Sequence, residues 1–158
     1  MTLQKVTVNL LRQDKSPRHL LGELHISQTG QHYRYMQADG AVTANVAWSY
    51  RPNTWQIEDL IEVAVTPATA ESVPFCVSAI AITDNYYAWV FIGPGVFTAT
   101  AAANIAADAI LYGHATAGEI DDAATACLLR GVIAPAAITG NVTGTFYATK
   151  ELYAIDLA

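Results

Sequence analysis

Four histidines and two acidic clusters are the first groups to weigh for reactive chemistry in this 158-residue sequence. His19, His25 and His32 stand six and seven residues apart near the start of the chain, and His114 stands alone. Metal-binding histidines usually stand about three to five residues apart with Cys or carboxylate partners nearby, so this spacing predicts no ligand set. Glu58, Asp59 and Glu62 form one acidic group, and Glu119, Asp121 and Asp122 form another. Paired acids can cleave a glycosidic bond or bind calcium, but neither group shows the alternating Asp/Asn run and distal Glu of a calcium loop. Both read as solvated acids beside turns. No nucleophile elbow, Walker loop or G-x-G-x-x-G occurs, and "GPGV" at 93–96 carries Pro94 where a phosphate cradle needs a backbone N–H. Cys76 and Cys127 each lie in an apolar run and read as buried small hydrophobes, not a bridge. The sequon at Asn141 matters only in a secreted eukaryotic protein, which nothing else in the sequence suggests. The expectation is a protein without enzymatic activity, metal or cofactor.

Non-covalent recognition offers two candidates. Trp48, Tyr50 and Trp55 gather near Arg51 and Pro52, with Trp89 further on. Such aromatics serve either as packing at a subunit edge or, together with Tyr86 or Tyr87, as stacking faces for a sugar or peptide. The second candidate is charge. Residues 1–34 hold five cations (Lys5, Arg12, Lys15, Arg18, Arg34) against two acids (Asp14, Glu23), a net +3. The remainder holds three cations against twelve acids, a net −9. That asymmetry reads either as an ordinary solvated face or as a basic segment that lies on an acidic neighbour. The cations are too few, and too short of interleaved aromatics, for nucleic acid.

The elements that must carry these residues are mostly strands. Short runs rich in Val, Ile, Thr, Tyr and Trp alternate with turn chemistry at Asp39-Gly40, Pro52-Asn53, Asp84-Asn85, Gly93-Pro94-Gly95 and Gly140-Asn141. This pattern predicts a mainly β fold, a small barrel or sandwich, with no βαβ spacing. "LQKVTVNLLRQ" alternates around Val6, Val8 and Leu10 and predicts a strand, ended by a turn at Ser16-Pro17; "LLGELHI" predicts a second short one. Residues 1–31 are therefore expected to be an extended arm or edge layer, and residues 32–158 the β domain. One stretch is ambiguous. "TAAANIAADAILYG" is Ala-rich with Thr100 as a potential N-cap, which favours a helix over 101–112, yet Ile105, Ile110, Leu111 and Tyr112 make no continuous helical stripe. The charged share, 14%, falls below the roughly 25% of ordinary domains, which predicts a surface partly covered by sister subunits. No apolar run reaches the ~18 residues of a membrane span, and the start lacks the order of a secretory signal, so a cytoplasmic protein is expected.

Three segments carry a resemblance: "YRYMQADGAVTANVAW", "YYAWVFIGPGVFTATAAANIAADAILYGHATAGEIDDA" and "RGVIAPAAITGNVTGTFY". Together they resemble the head decoration, or cement, proteins of tailed bacteriophages. The matching features are Tyr33 through Gly40, Trp89 and Val90 before Gly93, Asp108 before Ala109 to Leu111, and Gly131 with Val132. Ala107 departs from the pattern, standing where the family has Gly; Ala tolerates positive φ poorly, so the turn there is expected to differ. The resemblance implies a β-barrel or β-sandwich, strand instead of helix over 109–112, and a homotrimer on the capsid exterior. The partner it implies is the major capsid protein; the basic arm lies outside the resemblance, and its charge is what points to Lys5, Arg12, Lys15 and Arg18 as the contacts. The resemblance implies no nucleic-acid and no membrane partner.

Overall fold

A computed structural model describes residues 8–60, 73–114, 116, 118–123 and 127–155. Among these residues there is no helix, and the mainly β expectation holds. The strands are β1 Gln13–Asp14, β2 Leu24–Ile26, β3 His32–Ala38, β4 Ala47–Arg51, β5 Gln56–Leu60, β6 Val73–Val77, β7 Tyr87–Phe91, β8 Gly95–Thr100, β9 Tyr112–Gly113, β10 Ile120–Asp121, β11 Leu128–Ile133 and β12 Thr143–Ile155. β7, β3, β5, β4 and β6 pair in that order, and Val77 pairs back to Phe91 on β7, which closes a five-stranded barrel. β8, β12, β11, β9 and β10 form a half-barrel beside it, joined where Tyr153 and Ala154 of β12 pair with Pro74 and Val73 of β6.

The two sheets share a wall. Successive side chains of a strand point to opposite faces, so Cys76, Ala88 and Val90 fill the barrel with Met36, Trp48 and Ile57. Phe75, Val77 and Phe91 point the other way, into a second core with Phe97, Leu111, Ile120 and Phe146. Phe91, Phe97 and Phe146 stack in series, centroids 5.1 and 5.7 Å apart. A strand buried on both faces must be apolar throughout, which is why 88–92 reads "AWVFI" without alternation.

The two units repeat one another. "AVTANV" at 41–46, "AITDNY" at 81–86, "NIAADA" at 104–109 and "AITGNV" at 137–142 each form a bridge residue followed by a turn. The copies pair within each unit: Val42 with Ile82 and Ile105 with Ile138, each through reciprocal N–H to C=O bonds of 2.9 Å. Asn45, Asn85 and Asp108 take positive φ of 56°, 63° and 58°, and in the last copy Gly140 takes it at 86°. The surrounding hydrogen bonds match as well. Ala38 N to Tyr86 O, Asp39 N to Ile57 O and Asn45 N to Ser78 O recur as Ala101 N to Val142 O, Ala102 N to Ile120 O and Asp108 N to Ala134 O. β3 to β7 therefore correspond to β8 to β12. Even the parallel pair that closes the barrel, Gln37 and Ala38 on Gln56 and Ile57, has a remnant in the parallel bridge of Ala101 to Ile120. The units meet at the Gly93-Pro94 turn, where a Cβ on Gly93 would strike the Lys150 carbonyl.

Two local expectations resolve here. The Ala-rich stretch forms no helix: Ala101 and Ile105 sit in bridges, with bends between them and a turn at Ala107-Asp108; the strand implied for 109–112 begins only at Tyr112. Asp108, not Ala107, occupies the positive-φ position, which Asp tolerates through its short polar side chain. The predicted strand around Val8 and Leu10 is not seen in its described part. Leu10 and Leu11 form a turn because the Leu11 N–H bonds the Asn9 side chain at 3.0 Å, an Asx-turn, and the strand starts at Gln13. Residues 1–7 lie outside the described set.

Asp108→Ala should lower stability by about 1 kcal/mol in urea denaturation, through strain at positive φ. Asp108→Gly should be close to neutral, and Ala107→Gly should not stabilise. Phe146→Ala should cost about 3–5 kcal/mol.

Candidate functional site

The outer wall of the barrel away from the half-barrel is aromatic. Tyr33 and Tyr35 alternate with the other face of β3, which carries core residues Met36 and Ala38, and Tyr87 and Trp89 do so on β7, with Tyr35 facing Trp89 across the ladder. Left bare, this face would expose Tyr35 and Trp89 to water. The N-terminal segment covers it. β1 pairs with β7, Gln13 to Ala88 and Asp14 to Tyr87, and β2 pairs with β3, His25 to Tyr33. Gln13 Oε1 also accepts the Thr83 N–H at 2.7 Å. The described part of the expected arm is thus an edge layer on the chain's own barrel. His19 and His25 pack edge-on against Trp89 at 5.0 and 5.7 Å, and Tyr35 becomes fully buried between Trp89 and Tyr87.

One carboxylate ties this layer down. Asp14 is 8% exposed, and its Oδ2 accepts the Tyr35 hydroxyl at 3.0 Å. Its Oδ1 receives Arg12 Nε at 2.9 Å and Arg18 Nε at 3.0 Å, while the Tyr35 oxygen accepts the Arg18 N–H at 3.2 Å. Burial, with the Asp14 charge beside it, pushes the Tyr35 hydroxyl up to about 12. Burial of a charge is tolerated only when it is paired and hydrogen-bonded, which this loop achieves within seven residues. Residues 12–18 curl around a recess of about 320 Å³. The two guanidinium groups remain about half exposed, 47% and 59%, and Lys15 is exposed between them. Arg12, Lys15 and Arg18 against Asp14 leave this loop a net +2, flanked by Leu11 and Leu20 at 70% and 80% exposure. Lys5 lies outside the described residues.

The remaining candidates do not converge. Trp48 and Tyr50 are buried in the barrel, Trp48 donating its indole N–H to the Thr43 carbonyl. Trp55, half-buried, stacks on Tyr50 and carries the Arg34 guanidinium over its ring at 4.5 Å. Trp89 lies on the opposite face of the wall. None of the four presents an open stacking platform, and Tyr87 is taken up against Tyr35. Glu58 pairs with Arg51, and Glu62 lies outside the described residues. His114 lies between Glu119 at 3.6 Å and Asp121 at 3.8 Å, and Asp122 accepts the Ala106 N–H. Among the described residues no group of three His, Cys, Asp or Glu side chains is arranged to hold a metal ion. Cys76 and Cys127 are buried thiols in different cores with no disulfide between them, and burial pushes the Cys76 thiol up. Sequence reasoning missed Asp14 as the anchor and the internal repeat. The three A-[V/I]-T-x-N words were the available signal for the latter.

In comparisons with known proteins, no family model, no curated protein and no solved structure matches the chain.

The raised Tyr35 pKa means that its stabilising contribution is complete below pH 10 and disappears as pH rises toward 12. Thermal unfolding followed from pH 8 to 12 should show a steep loss in that window. Tyr35→Phe should lose about 1 kcal/mol at neutral pH and make the alkaline fall shallower, leaving the contributions of Tyr33 and Cys76, both also raised by burial.

Proposed function

We propose that this protein is a structural virion component, a capsid decoration or cement protein that binds the outside of the assembled phage head and stabilises it without covalent chemistry. The observation that carries the reading is the basic loop 12–18, fixed to the barrel by Asp14 and flanked by exposed leucines, on a chain otherwise strongly acidic. Two features support it further. The chain is built of two fused β units with little charge, and of the aromatics that a carbohydrate-binding module would use for stacking, Trp48 is buried while half-buried Trp55 and Tyr87 stack on Tyr50 and Tyr35. The segment resemblance to decoration proteins points the same way.

The mechanism is mass action. A protein that binds only the assembled, expanded lattice stabilises that lattice by its binding free energy. A homotrimer docking at several points adds avidity without strong single contacts. The partner is the major capsid protein, and the protein is made in the bacterial cytoplasm and resides on the virion. Exposed Lys15, with Lys5 in the same segment, meets an acidic capsid surface, and Arg12 and Arg18 do so from their fixed positions.

The test uses expanded shells assembled from the major capsid protein of the phage that encodes this chain. Deleting the segment would uncover Tyr35 and Trp89, so substitutions that leave the Asp14 cluster intact are the sharper probe. Lys5→Glu with Lys15→Glu should lower occupancy on shells, scored by co-sedimentation and electron microscopy, and steepen its loss with salt. Undiminished occupancy at all salt concentrations, or no binding by the unaltered protein, would overturn the reading.

A further inference from the structure

The repeat exposes a difference between the two units. In the first, the edge of β3 is covered: Tyr35 donates its N–H to Glu23 O and accepts from Gly22 N, and β2 pairs along residues 32–34. In the second, the same edge of β8 has no such strand. The ladders are in matching register, Tyr35 on Trp89 corresponding to Thr98 on Thr145. Val96 O turns away from β12 to accept the Gln31 side-chain amide, and Thr100 N turns away to reach Asn45 O. Thr98 lies between them in the same alternation, its N–H and C=O facing outward, and among the described residues no strand runs along it. An apolar groove of about 380 Å³ borders this edge, lined by Leu10, Leu11, Val77, Phe91, Val96 and Thr98 among others. No charged residue lines it.

A second strand edge is open. Among the described residues β2 pairs only with β3, and its Leu24 and Ile26 are 42% and 53% exposed. Val96 on β8 is 49% exposed. Flat, apolar edges without lysine, proline or a bulge are templates for pairing with another chain. "LHI" at 24–26 carries no acid, lysine or arginine, which suits a groove without charge.

We propose that β2 of one copy pairs with the β8 edge of a second copy, so that the sheet β7, β3, β2 continues into β8 and β12 of its neighbour. The contact uses two different edges and is head-to-tail, so it closes into a ring when the rotation allows. It gives the second unit the covering strand that the first unit draws from its own chain. This rests on the self-association in the reading above and names the surface that performs it; it requires no capsid.

Sedimentation velocity of the full chain from low to high micromolar concentration tests it. The unaltered protein should associate. Thr98→Pro removes only the outward N–H, since that group does not pair with β12, and should weaken association roughly tenfold or more. Leu24→Lys with Ile26→Lys should do the same from the other edge, and Val96→Lys supplies a second β8 variant should Thr98→Pro unfold. Each variant retains one intact edge, so mixing Thr98→Pro with the β2 variant should restore a one-to-one complex. A strictly monomeric protein, association untouched by either set, or no complex on mixing would overturn the proposal. Capsid occupancy measured in parallel separates the readings. Binding to shells by a monomer sinks this contact alone, and a ring that ignores shells sinks the capsid reading alone.

Discussion

The fold depends on one wall, β6 and β7, being apolar on both faces. Cys76, Ala88 and Val90 fill the barrel while Phe75, Val77 and Phe91 close the second core. Each large side chain buried there contributes about 1.5–3 kcal/mol, and the two sets cannot be separated without exposing one of them. The half-barrel is short of a full circuit because the barrel wall supplies its missing side. The duplicated units are therefore one cooperative body and not two beads.

The same constraint explains the N-terminal layer. A barrel built from strands with apolar residues on both faces must have its remaining outer wall covered, and the wall at Tyr35 and Trp89 faces away from the half-barrel. β1 and β2 supply the cover, and Asp14 supplies the latch. Breaking a buried charge pair by removing its partners costs about 3–5 kcal/mol, whereas an exposed pair is worth roughly 0–1. Arg12 and Arg18 both reach Oδ1, while Oδ2 accepts the Tyr35 hydroxyl.

The mainly β class was legible because β-branched and aromatic residues recur between turn dipeptides. The Ala-rich stretch was not, because Ala propensity favours helix and only the pairing of Ile105 with Ile138, far apart in sequence, overrides it. The aromatic group at 48–55 showed its members but not their fate. Trp48 and Tyr50 alternate into the barrel on β4, and burial follows from which face the closed sheet encloses. The docking of β1 on β7 was likewise unreadable, since strand pairing across 73 to 75 residues leaves no local pattern, whereas β2 and β3 form a local hairpin. The repeat was legible in principle. It hides because its shared words are turns and the third copy has lost its Thr and Asn, keeping only an apolar bridge residue and an Asp that can hold positive φ.

Charge and structure meet in the basic segment, whose structural role is compatible with the binding role proposed for it. Neutralising Asp14 requires one unit of positive charge, yet the loop brings two guanidinium groups and Lys15. The excess is two units of charge, three cations against one carboxylate. It lies where the chain is most exposed, between Leu11 and Leu20, on a molecule whose remainder repels other acidic surfaces. Fixing both arginines through Nε reduces the side-chain entropy lost when a partner binds, so the latch that completes the fold also preorganises the face it presents.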